Sequence, residues 1–205
     1  MDAAFIAKCA DPNLAPAIVE RFVAAVGAED PLTVSVKSDG RLVLVPKPRS
    51  ANEALEVVRN YVGQAVVRVG ITQFPAGLGV ADASQLRTGM FDACENLRTG
   101  TKMFAKVARI VTKWYGRPTN KELLPPMLDD AFYAWKTGTF EGEDVFRVED
   151  PGGPTFFGKA SGDTNPAAEP SVPALGKEDP SQSAEPDKAA EAGMRVDLTR
   201  IGGQK

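Results

Sequence analysis

Six cations stand at helical spacing in one stretch of the chain: Arg98, Lys102, Lys106, Arg109, Lys113 and Arg117. At about 100° per residue they fall within an arc of roughly 100°. Met103, Val107, Ile110, Val111 and Trp114 occupy the adjoining arc. No acid interrupts residues 98–117, so the stretch carries six positive charges. A helix of this kind can present a flat basic rail to an anionic partner: nucleic-acid phosphates, an acidic protein or anionic lipid. It can also be a solvated face whose neutralising acids come from elsewhere, Asp129 and Asp130 being candidates. The apolar arc reads as core, which argues against a helix lying on a membrane.

Other chemistry is sparse. The chain has no histidine, which removes Ser-His-Asp and Cys-His nucleophile systems and histidine metal sites. Cys9 and Cys94 are too few for a cysteine zinc site or a disulfide framework. Cys94 lies between Asp92 and Glu95, which disfavour a thiolate, so it reads as a buried structural cysteine. Thr72–Val80 contains only G-x-G at Gly77 and Gly79, with no lysine-hydroxyl pair behind it, and is a poor phosphate cradle. Tyr61, Tyr115 and Tyr133 could attack a phosphodiester only beside a metal cluster. The carboxylates Asp129, Asp130, Glu141, Glu143 and Asp144 lack calcium-loop spacing. Trp114 and Trp135 read as core and docking residues. No catalytic residue, cofactor site or metal site is expected.

The elements that position these residues follow from local signals. A helix opens near Asp11-Pro12 or at Pro16, with Leu14, Ile18, Phe22 and Val26 on one face and Gly27 at its end. Alternation over Thr33–Lys37, a Ser38-Asp39-Gly40 turn and Leu42–Val45 predict a hairpin. Ser50 to Glu53 has the form of a capping box before a helix through Tyr61. Ala65–Ile71 is β-branched and reads as a strand. Helical pattern returns from about Asp82 to Lys136, divided at Gly89 and Gly100 and closed in its middle by Gly116 and Pro118. Thr119–Glu122 looks like a second capping box, Gly138 ends the last helix, and Thr139–Val148 holds one short strand. The expected fold class is α+β, a small antiparallel sheet covered by helices.

Composition divides the chain. The whole carries 24 basic and 27 acidic residues. Residues 150–205 hold 9 acids and 6 bases, which leaves 18 of each in 1–149. Seven of the 16 prolines lie beyond Asp150. Residues 1–150 are therefore expected to form one globular domain, and 151–205 a disordered, acidic Pro/Ala-rich tail with a short recognition motif at 194–201. No secretion signal or apolar span is visible, so the expectation is a cytoplasmic protein with both thiols reduced and no membrane insertion.

Several stretches together resemble one family. They are CADP at 9–12, GRLVLVPKP at 40–48, YVGQAVVRVGITQFPAG at 61–77, ACENLRTGTKMFAKVARIVTKWYG at 93–116, PTNKE at 118–122, AFYAWKTG at 131–138 and EDPGG at 149–153. The chain resembles the conjugal transfer protein TraH family of agrobacterial and rhizobial plasmids over about residues 1–153. The resemblance rests on whole segments rather than on a catalytic motif, and it brings no active-site residues. It implies a place beside a relaxase and a pilin-processing peptidase in plasmid conjugation. The resulting expectation is a non-enzymatic accessory factor whose basic helix meets DNA, the relaxosome or type IV secretion components. The alternatives are an enzyme acting on a nucleotide or cell-envelope substrate, or a pure protein–protein assembly factor without DNA contact.

Overall fold

A computed structural model describes residues 1–158 of the chain. Five α-helices cover a small antiparallel sheet, the α+β class expected from the sequence. The helices are α1 (Ala3–Cys9), α2 (Pro16–Val26), α3 (Ala51–Tyr61), α4 (Ala93–Trp114) and α5 (Leu124–Thr137). The strands of the main sheet are β1 (Val34–Ser38), β2 (Arg41–Val43), β3 (Val66–Val69) and β4 (Phe74–Pro75), in spatial order β2-β1-β3-β4. A two-stranded ribbon, β5 (Thr139–Phe140) and β6 (Glu143–Asp144), follows α5.

Local chemistry accounts for most boundaries. Pro16 is the first residue of α2, a position whose missing N–H costs nothing. Asp39 and Gly40, at φ 49° and 76°, form the tight turn between β1 and β2. Ser50 caps α3 by accepting from the Glu53 N–H at 3.2 Å. The Glu53 carboxylate reaches back to the Arg49 N–H at 2.8 Å rather than to the cap residue itself. Asn120 caps a short 3₁₀ turn that leads into α5. Gly138 closes α5 in the left-handed conformation.

Two expectations need correction here. The helical stretch does not begin at Asp82: residues 83–85 and 88–91 form 3₁₀ turns, and α4 begins at Ala93 behind the Asp92 cap. Nor does Gly100 divide the helix. α4 runs through it unbroken, and Gly100 is there because a Cβ would overlap the Thr72 side chain. The glycine lets the β3–β4 turn pack onto the helix backbone. α1 has no counterpart in the sequence reading, because seven residues give too short a pattern to stand out.

The core gathers behind α4 and α5. Phe22 and Phe104 stack with centroids 4.2 Å apart, and Trp135 meets both edge-on at 5.1 and 6.0 Å. Such pairs add directional preference to area burial. Trp135 is buried as expected, but Trp114 is 56% exposed and rests against Phe140 and Tyr115 rather than entering the core.

The packed chain continues past Asp150. Phe157 is 1% exposed and belongs to the core. Its carbonyl accepts the Ala15 N–H at 2.9 Å, at the start of α2, where no side chain caps the helix. The boundary expected at Asp150 therefore falls inside a packed segment, which returns from α5 across α4 to α2. Apolar Phe156 and Phe157 stand among Gly and Pro, so composition alone hid the anchor. The recognition motif expected at 194–201 lies outside the described residues.

Candidate anionic-partner interface

α4 is amphipathic. Leu97, Phe104, Ala108 and Val111 are buried on one side, and five of the six cations emerge on the other; Arg117, expected on the same helix, instead lies beyond its end, because the chain turns left-handed at Gly116 and Arg117, at φ 73° and 55°. The structure divides those six into two sets. Arg98, Lys102, Lys113 and Arg117 are exposed, and none has a carboxylate partner among the described residues. Lys106 and Arg109, in the middle, are occupied. Lys106 Nζ donates to the Phe146 carbonyl at 3.0 Å. Arg109 Nε donates to Asp150 Oδ1 at 2.7 Å, and Nη2 donates to Oδ2 of the same carboxylate. The segment 145–157 thus straps the centre of the stripe and leaves a pair of cations free at each end.

The neutralising acid is Asp150, not Asp129 or Asp130. Asp130 instead accepts the Tyr115 hydroxyl at 2.8 Å, which raises the phenol's pKa. Nothing local links Arg109 to an acid 41 residues later. The only sequence signal was the EDPGG stretch, whose Asp150 also accepts the Gly152 N–H at 2.9 Å and so shapes its own turn.

The Arg109 hydrogen bond holds the Asp150 carboxyl below its ordinary value, the Gly152 N–H and the nearby Lys106 charge acting in the same direction against burial. A carboxyl depressed in the folded state adds stability that is complete above its unfolded pKa and is lost as pH falls through the folded value. The strap should therefore loosen below about pH 4. The contribution is on the order of 0.5 kcal/mol, because Asp150 is 39% exposed and solvent screens the pair. Urea midpoints of the protein and its Asp150→Asn variant should differ at pH 6 and converge as pH drops below about 4. An undiminished difference in acid would mean that the carboxylate charge is not what holds the strap.

The remaining sequence candidates take structural places. Thr72 and Gln73 are buried. Asn96 Oδ1 accepts both the Thr72 N–H at 3.0 Å and its hydroxyl at 2.8 Å, while Asn96 Nδ2 donates to the Val69 and Met90 carbonyls. Trp135 Nε1 donates to the Thr72 carbonyl at 3.1 Å. The segment then turns back into β4 instead of opening a helix, so it has no phosphate-cradle geometry. Gly70, at φ 68°, faces the Asn96 amide so closely that a Cβ would overlap it.

Cys94 is not a lone thiol. It is disulfide-bonded to Cys9 across 85 residues, with the Cα atoms 5.1 Å apart, and ties α1 to the start of α4. The expectation of two reduced thiols is corrected: spacing in sequence gives no sign that α1 folds back onto α4. Tyr61 is half-buried and Tyr133 exposed, and no group of three or more metal-ligating side chains assembles among the described residues. Among those residues, no helix is long and apolar enough to cross a membrane.

The family model described as TraH_2 matches residues 1–203. "Uncharacterized protein y4dP" of Sinorhizobium fredii (strain NBRC 101917 / NGR234) is 55% identical over 205 residues, covering 99% of each chain. No solved structure matches the chain. A match along nearly the whole length, joined to the segment resemblance over helix, sheet and strap, assigns the chain: it belongs to the TraH_2 family of conjugal transfer proteins.

Proposed function

We propose that the chain is a non-enzymatic accessory factor of plasmid conjugal transfer that docks on nucleic-acid phosphates through Arg98, Lys102, Lys113 and Arg117. The observation that carries this reading is a set of four exposed cations, three on α4 and Arg117 just past its end, without carboxylate partners among the described residues. From Arg98 to Lys113 the helix advances about 22 Å at 1.5 Å per residue, a length that crosses several phosphates of a duplex. Lys106 and Arg109 serve a different end. They hold the strap, and through it the helix's orientation, so the interface is two basic ends rather than a continuous rail.

With four phosphate contacts, log affinity should fall against log salt with a slope of about −3.6, at ~0.9 per contact. A six-contact rail would give about −5.4. Fluorescence anisotropy of a labelled duplex over a salt series reads this slope. Replacing Arg98, Lys102 and Lys113 by Glu should abolish the signal and reduce mating frequency from a donor. A folded triple variant that binds DNA and supports transfer like the parent would refute the reading. A variant that loses transfer while the parent shows no DNA binding would move the partner to an acidic protein of the transfer machinery.

A further inference from the structure

We propose that the cleft over the outer face of the sheet is a binding site for a small anion with an apolar body, its head held by Arg68 and its body laid along Val66 and Leu78. The cleft has a volume of about 540 Å³ and lies where β1 and β3 meet the end of α5 and the β6 segment. That size lies within the usual range of small-molecule sites. Strand register sets its floor. Lys37 pairs with Val66 and Ser35 with Arg68, so Lys37 and Arg68 are diagonal neighbours on one face, with Val66 on that face directly across from Lys37. The opposite face carries Val34, Val36, Val67 and Val69 into the core.

Arg68 is the unusual member. Nη1 donates to the Gln73 carbonyl at 3.0 Å, and Nη2 donates to the Trp135 and Lys136 carbonyls at 2.6 and 3.2 Å. The guanidinium also lies 5.5 Å from the centre of the Phe146 ring. These contacts fix its position without neutralising it. Among the described residues no carboxylate pairs with Arg68, and two of its five N–H groups lack an acceptor. Burial pushes its pKa down to about 10, so it remains charged at neutral pH. A fixed, half-buried cation short of acceptors forms strong charge-assisted hydrogen bonds to carboxylate or phosphate oxygens. Lys37 adds positive charge to the rim, Arg147 and Asp144 pair there at 3.4 Å, and Asp39 at the tip of the β1–β2 turn is the remaining carboxylate of the lining.

The apolar half of the ligand follows from exposure. Val66 is 53% exposed and Leu78 37% exposed, both on the cleft wall. An acyl or aromatic body would cover them, whereas an inorganic anion would leave them wet.

The test uses octanoate as probe on the full chain, followed by the arginine Nε–Hε and Val66 methyl resonances. Octanoate should shift both Arg68 Hε and Val66 saturably, and octanol should leave Arg68 unmoved. Lys37→Gln should weaken octanoate binding about tenfold, as expected for loss of one charged contact. Val66→Asp, at an exposed position, should abolish it while leaving the rest of the spectrum intact. The proposal is overturned if Arg68 Hε stays fixed up to tens of millimolar octanoate, or if Arg41 on the neighbouring strand shifts in parallel. Binding of inorganic phosphate as tight as that of octanoate would overturn the apolar half.

Discussion

A chain ended after Asp150 should be less stable than one ended after Gly158 by about 3–5 kcal/mol, the usual cost of deleting a buried phenylalanine. The eight residues between carry Phe157, 1% exposed, and Thr155, 8% exposed. Losing Phe157 removes a fully buried ring from the core. It also removes the acceptor for the Ala15 N–H, at a helix start that has no side-chain cap. The Thr155 hydroxyl, which donates to the Asn13 carbonyl, goes with it. Urea unfolding followed by circular dichroism measures the difference. Phe157→Ala in the longer chain should reproduce most of it, which separates the ring's contribution from the length of the tail. Equal midpoints for the two truncations would show that the strap is an ornament on a domain already complete at Asp150.

That prediction lies where the sequence was least legible. Signals carried within four or five residues were readable: Pro16 opening α2, the Asp39-Gly40 turn, the Ser50 cap and Gly138 closing α5. Each rests on backbone conformations that a few side chains decide by themselves. The α+β class followed because these elements alternate in period. What stayed hidden is settled across the chain. Gly100 looks like a break until Thr72 is packed against it. Asn96 looks like an indifferent helix residue until it meets the β3–β4 turn. Arg109 looks like one cation among six until Asp150 arrives from 41 residues away. The candidate interface was thus half legible. Helical spacing placed six cations on one face, but only the fold takes Arg117 off the helix end and separates the four without a carboxylate partner among the described residues from the two that hold the strap.

The other large effect should come from the Cys9–Cys94 crosslink. Reducing it in the purified protein should lower stability by about 2–4 kcal/mol, the usual contribution of a native disulfide. The bond closes a loop of sequence separation 85. At that length the chain-entropy relation alone gives about 4.6 kcal/mol. The native-state consequence is local. α1 is seven residues long, buries only Ile6 and Cys9, and has an aspartate cap at one end. A helix this short does not persist by propensity, so the crosslink, the burial of Ile6 and the Asp11 N–H donated to Thr101 Oγ1 of α4 at 2.9 Å are what hold it in place. Thermal melts with and without a phosphine reductant should differ by about 4–16 °C, at roughly 2–4 °C per kcal/mol for a domain of this size. A Cys9→Ala/Cys94→Ala variant should melt like the reduced parent and show no further change when reductant is added. Amide exchange should then rise first in Ala3–Cys9, while α4 and α5 keep their protection, because the aromatic core of Phe22, Phe104 and Trp135 does not depend on the crosslink. Identical melts in both redox states would show that α1 is held by packing alone.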